Sequence, residues 1–371
     1  MRAGWVATTG FCAVLALLTG CGGKSNGSAT AIASTEVHES ASAEPSPTAG
    51  PTTAPTPAAP VPAPSTNNKS GFAWANQPGT ASYTLSHAYR FTTSGGQIHV
   101  NRFGTGAYEV VFDGIGSPGG IAHATAYGAN SNFCNVLNWG AAGGNEIVAV
   151  QCFSAAGAPV DSTFLVNYAS KQSGLTRFSY LWADQPAAAD YAPASTYRYD
   201  STGGTPKVKR TATGRYRVTL PASADLGGEP YTFQVTAYGS TPMHCKITAT
   251  YVAAATHQVD CLNTSGIFAD TTFEVTFASS GSFIGRDERR YGEYTDVSPA
   301  VVVNPGGNYT VPASEMGQDK GQVMAYAEGG DGTYCHTGGW AAAGTTLNMV
   351  VRCFNIDGSP AESQFRVMVT W

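Results

Sequence analysis

One cysteine-flanked segment occurs three times along the chain, and this repetition limits the possible folds more than any other feature. The first copy runs from Ala126-Tyr127-Gly128 through Cys134 to Cys152-Phe153, then to Asp161 and Phe164. The second is Ala237-Tyr238-Gly239, Cys245, Cys261-Leu262, Asp270 and Phe273; the third is Ala325-Tyr326, Cys335, Cys353-Phe354, Glu362 and Phe365. The paired cysteines lie 18, 16 and 18 residues apart, so these are versions of one structural unit.

Inside each copy apolar residues recur with period two. Tyr216, Val218 and Leu220 alternate with Arg215, Arg217 and Thr219, and Phe273, Val275 and Phe277 with Glu274 and Thr276. Such runs, broken by Gly, Pro and Asn, predict half-buried antiparallel strands. Ser154-Ala-Ala-Gly157, Asn263-Thr-Ser-Gly266 and Asn355-Ile-Asp-Gly358 share one repeat position and predict turns that use a glycine at positive φ. No convincing amphipathic helix is found. The expected fold is all-β: three tandem disulfide-bonded antiparallel β-sandwiches, immunoglobulin-like or jelly-roll-like, of about seven or eight strands each.

The repeats span about 71–170, 177–279 and 283–371. The first opens Phe72-Ala-Trp74-Ala-Asn-Gln-Pro78 and the second Tyr180-Leu-Trp182-Ala-Asp-Gln-Pro186, whereas the third lacks this opening. Losing it predicts an exposed sheet edge there, or one covered by residues 281–286.

Of eight cysteines, six form the three matched pairs: Cys134 with Cys152, Cys245 with Cys261, and Cys335 with Cys353. Paired cysteines without CxxC spacing point to structural disulfides and an oxidising compartment rather than a metal site. The net charge of −5 and the lack of a basic cluster argue against a nucleic-acid partner, which needs grouped Lys and Arg.

The other two cysteines lie at the N-terminus. Arg2 precedes the apolar run Phe11-Cys12-Ala13-Val14-Leu15-Ala16-Leu17-Leu18, which is too short to span a bilayer. It ends Leu18-Thr19-Gly20-Cys21, which resembles the lipobox of bacterial lipoproteins. That resemblance implies cleavage after residue 20, a lipid on Cys21, and anchoring at the extracytoplasmic face of the cell membrane; an ordinary signal would leave the protein secreted. Residues 21–70 are rich in Pro, Ala, Ser and Thr, as in Pro51-Thr-Thr-Ala-Pro-Thr-Pro, and read as a disordered tether. The Trp-Ala-Xaa-Gln-Pro openings with paired cysteines are similar to repeats of uncharacterised secreted actinobacterial proteins, a resemblance that implies no activity.

Candidate chemistry is sparse. The histidines show no metal spacing, and His244 and His336 fall on opposite sides of a first cysteine, so they do not mark a repeated site. No GxSxG elbow is present, and neither cofactor nor metal is expected. The repeated acid, Asp161, Asp270 or Glu362, would either accept backbone N–H bonds or serve as a ligand carboxylate. Trp74, Trp182, Trp139 and Trp340 are the ligand-binding candidates, as exposed platforms for sugars or proteins; the alternative has them closing the core and packing on the disulfides. The expected function is non-catalytic binding or display at the cell surface, of a glycan, cell-wall polymer or protein. A passive envelope spacer is the alternative, and a hydrolase or enzyme inhibitor ranks last.

Overall fold

The computed structural model describes residues 68–171, 177–226, 231–279, 292–295, 301–314, 316–317 and 321–370. The signal, Cys21 and nearly all of the tether lie outside the described residues, as do residues 281–286.

The first repeat has nine strands: β1 (Ser70–Ala75), β2 (Ser82–Thr84), β3 (Arg90–Thr92), β4 (Ile98–Gly104), β5 (Ala107–Phe112), β6 (Ile121–Ala126), β7 (Phe133–Ala142), β8 (Asn145–Phe153) and β9 (Phe164–Ala169). They form an inner sheet ordered β3-β1-β9-β6 and an outer sheet ordered β2-β4-β5-β8-β7. The second repeat copies this with β10 (Phe178–Ala183), β11 (Asp190–Tyr191), β12 (Arg198–Asp200), β13 (Lys207–Ala212), β14 (Arg215–Thr219), β15 (Tyr231–Ala237), β16 (Met243–Tyr251), β17 (Thr256–Asn263) and β18 (Phe273–Ser279). Its inner sheet is β12-β10-β18-β15 and its outer sheet β11-β13-β14-β17-β16.

The third repeat contributes β19 (Gly292–Thr295), β20 (Val302–Asn304), β21 (Asn308–Ser314), β22 (Gln322–Glu328), β23 (Tyr334–Ala343), β24 (Thr346–Phe354) and β25 (Gln364–Thr370). Its opening strand is not missing. β19 pairs antiparallel with β25, as β1 pairs with β9 and β10 with β18, and so covers the edge expected to be open. What is absent is the stretch that carries β2 and β3. Only residues 296–301 separate β19 from β20, whereas residues 76–97 separate β1 from β4.

The two kinds of sheet follow from sequence differently. On β8, Glu146, Val148, Val150 and Cys152 are buried and alternate with half-exposed neighbours, because one face meets the sandwich core and the other faces water. β9 and β18 are buried at every residue. One face of each packs into its own sandwich: Phe164, Val166 and Tyr168 against Tyr108, Val110 and Val150, for example. The other face packs against neighbouring repeats, where Phe72, Leu165, Phe178, Tyr180, Met324 and Met368 share one cluster. The three repeats therefore belong to a single compact unit rather than three separate domains.

Each cysteine pair is a disulfide joining residues directly opposite each other on adjacent strands: Cys134–Cys152, Cys245–Cys261 and Cys335–Cys353. The turns expected at Gly157, Gly266 and Gly358 form, each glycine N–H donating to the carbonyl three residues earlier and holding a φ of 81°, 74° and 84°.

The repeats join head to tail in one cyclic order. The first-cysteine strand of each pairs in parallel with the next repeat at an equivalent position: Val136 with Tyr238, Ile247 with Glu328, and Thr337 with Tyr127. The same bridges correct the repeat alignment. Because Ala126, Ala237 and Ala327 stand opposite Phe164, Phe273 and Phe365, the counterpart of Tyr127 and Tyr238 is Glu328, not Tyr326. The glycine after each of these residues, Gly128, Gly239 and Gly329, adopts positive φ.

Candidate functional site

The repeated acid is built into the fold. Asp161 accepts from Gly106 N at 2.8 Å, from Arg102 Nε and Nη2 at 2.9 Å each, and from Tyr108 Oη at 3.1 Å. Asp270 does the same with Gly214 N, Arg210 and Tyr216 Oη. The Arg hydrogen bond, with the loop N–H and the Tyr hydroxyl, holds both carboxyls below the usual range against a desolvation that acts the other way. In the third repeat Val303 stands opposite Tyr309, where Arg102 and Arg210 stand opposite Tyr108 and Tyr216. Glu362, having no arginine to meet, is exposed and makes no such bond among the described residues. With every donor drawn from its own repeat, the acid ties a loop to the strand that follows it.

The four candidate tryptophans meet in two aromatic boxes at joints between repeats. In one, Trp182 packs on Tyr197 and Tyr238 of its own repeat (4.9 Å each between ring centroids) and on Trp139 of the first repeat at 5.4 Å. In the other, Trp74 packs on Tyr89 (4.5 Å), Tyr127 (4.7 Å) and Trp340 of the third repeat (5.4 Å). These separations suit direct ring-on-ring packing. All four indoles are half-buried, and Nε1 of Trp74 and of Trp182 is sealed from solvent. The rings therefore pack across the joints between repeats, and the hairpin tryptophans also pack against the core clusters of their own sandwiches, which contain the disulfide cysteines. A β-bulge at Leu137, and at Gly338, shifts the alternation so that Trp139 and Trp340 point to the sandwich side of the sheet.

The third joint replaces the box. Thr250 stands at the Trp139 position, Thr295 at the Trp74 position by register, and Glu328 at the Tyr127 position. Charge takes over there: Glu328 pairs with Arg366, whose guanidinium lies 5.1 Å from the Tyr231 ring of the second repeat. Lys246 Nζ donates to Asp331 Oδ1 at 2.5 Å and to Thr333 O at 3.0 Å, both in the third repeat.

Where the repeats converge they line a cavity with about 90 Å³ of room for water-sized molecules. Equivalent residues form its layers: His123, Gln234 and Met324; Thr125, Thr236 and Tyr326; Asn135, Lys246 and His336; Phe133, His244 and Tyr334. The last layer is an aromatic plug in which His244 lies 3.9 Å from Phe133 and 4.4 Å from Tyr334. His123 shares hydrogen bonds with Thr236 and Thr276 of the second repeat at 2.9 and 2.8 Å. The residue after each first cysteine donates to the next repeat's loop: Asn135 to Thr241 O, Lys246 to Thr333 O, and His336 to Asn130 O. Burial pushes the imidazoles of His123 and His244 down to about 3, so both are neutral at physiological pH.

His244 and His336, unrelated in register, are thus brought to one place, which the linear order hides. Among the described residues no group of three His, Cys, Asp or Glu is arranged to hold a metal. Ser223 Oγ and His257 Nε2 lie 2.7 Å apart, the distance of a nucleophile and its base. Both are fully buried, His257 against the Phe233 ring, and neither lines the cavity. The strands also gather Lys207, Lys209, Arg215 and Arg217 on one exposed face, a basic cluster that corrects the expectation of none.

No family model, curated protein or solved structure matches this chain.

Proposed function

We propose that the protein is a cell-envelope lipoprotein, lipidated on Cys21, whose folded head binds an extracellular ligand and performs no catalysis. The observation that carries this reading is the cyclic joining of the repeats. Beads on a passive spacer need only end-to-end links, whereas here all three repeats supply polar side chains to one cavity and share one compact unit. A rigid composite head presents binding surfaces in fixed relation, which lowers the ordering cost of binding. Three disulfides fit an oxidising, extracytoplasmic environment. Among the described residues no helix is long and apolar enough to cross a membrane, which is consistent with attachment through lipid.

The test combines fatty-acid labelling with fractionation of the native protein and of Cys21→Ser. Label on the native protein, and release of Cys21→Ser to the medium, would support the anchor. Saturable binding of the released protein to isolated cell walls or to an envelope extract would support the binding head. An unlabelled protein, or one that binds nothing from the envelope, would turn the reading toward a secreted protein or a spacer.

A further inference from the structure

The outer sheet of the second repeat carries a surface the fold does not require. Between residues 207 and 217 lie Lys207, Lys209, Arg210, Arg215 and Arg217 with no acid among them, in a chain of net charge −5. Arg210 is committed to Asp270. The other four are exposed on one face of β13 and β14, while Val208, Tyr216 and Val218 point into the core. Lys209 stands directly opposite Arg217. Like charges facing each other across strands destabilise a sheet, so core packing does not explain the pair. Among the described residues Lys207, Lys209 and Arg217 form no ion pair; Arg215 lies 3.9 Å from Asp260 and over the Phe268 ring.

Neither sister repeat keeps this charge. The positions of Lys209, Arg217 and Arg215 hold Asn101, Glu109 and Ala107 in the first repeat and Val302, Thr310 and Asn308 in the third. The cationic strip is two strands wide and bordered by acids, with Asp190 opposite Lys209 on one side and Asp260 opposite Arg215 on the other. A flat anionic membrane would press on those acids as well; a linear polymer lying along the strands would meet the cations alone. Residues two apart on one strand, such as Lys207 and Lys209, are spaced by ~7 Å, a step an extended polyanion can follow.

We infer that this strip docks a linear phosphate polymer of the envelope, its phosphates held by Lys207, Lys209, Arg215 and Arg217. The inference deepens the binding reading above and rests on it. Four phosphate contacts predict that affinity falls roughly 50-fold between 50 and 200 mM salt.

The experiment uses the full-length protein in detergent with medium-chain inorganic polyphosphate as probe, followed by titration calorimetry. The double variant Lys209→Gln/Arg217→Gln should lose at least tenfold in affinity, and Asp190→Asn should gain. The double variant's melting temperature should stay level or rise by about 1–2 °C, because repulsion is relieved, so lost binding would not be lost fold. Equal binding by native protein and double variant, tighter binding to phosphatidylglycerol vesicles than to polyphosphate, or equal binding to polyglutamate would each overturn the inference. Retained binding to cell walls alongside any of those results would sink this site alone; loss of wall binding by the native protein would sink the binding reading too.

Discussion

Trp139 of the first repeat meets Trp182 of the second nearly edge-on, with ring centroids 5.4 Å apart and planes inclined at 79°. The pair joins two repeats whose tryptophans lie at different repeat positions, one on a hairpin and one on an opening strand. Trp139→Ala should therefore destabilise the head by about 2–4 kcal/mol, less than a fully buried Trp because both rings keep partial exposure. Thr250→Ala, at the same position of the second repeat, should change stability by under about 0.5 kcal/mol. Denaturant titration of both variants, with a Trp139/Trp182 double-mutant cycle, checks this; a coupling energy near zero would mean that the box is incidental.

The inner strands are buried on both faces, so no repeat can lose its fold without exposing its neighbours' apolar surface. The head should melt in a single transition by calorimetry, with the calorimetric and van't Hoff enthalpies in agreement. Three resolved transitions would show the repeats to be independent. Reduction of one disulfide, for instance by Cys134→Ala/Cys152→Ala, should cost about 3 kcal/mol and lower that one transition as a whole.

Asp270 holds a loop N–H, an arginine and a buried tyrosine hydroxyl, while among the described residues Glu362 holds none of these. Asp270→Ala is expected to cost about 1–2 kcal/mol, at the low end for charged hydrogen bonds because the carboxylate is partly solvated. Glu362→Ala should be nearly neutral. Equal effects at the two positions would remove the account of the acid given above.

The pH dependence has two opposing arms. Burial lowers His123, His244 and His257 to about 3, so the unfolded chain takes up protons that the folded one refuses. Their contribution is complete above about pH 6.5 and is lost as pH falls towards 3. Burial raises the Glu146 carboxyl to about 8 and raises that of Glu274 well above its ordinary value. Contributions from these acids are complete below about pH 4.5 and are lost as pH rises through the folded values. Because three histidines oppose two acids, maximum stability should fall a little above about pH 6, and Glu146→Gln/Glu274→Gln should flatten the alkaline side. Urea titrations from pH 4 to 9 measure both arms, and an unchanged alkaline slope in the double variant would refute the assignment.

Period-two alternation, matched cysteine spacing and turn glycines depend on neighbours within about a dozen residues, and they determined the strands, the disulfides and the sandwich class. Each repeat's hairpin closes locally, so its pattern is written locally. Sequence also placed Asp161 and Asp270 correctly, because their partners lie in the same repeat. The joints were decided by tertiary structure alone. Asn167, Thr276, Glu274 and Gln234 alternate with core residues as solvent-facing side chains do, yet they are buried, because the face they occupy meets another repeat rather than water. A bulge of one residue turned Trp139 and Trp340 toward neighbours far away in sequence, and the shift between Tyr326 and Glu328 is visible only in strand register. Period and spacing record which side of a strand a residue takes; what lies against that side is set by how the three repeats close on one another.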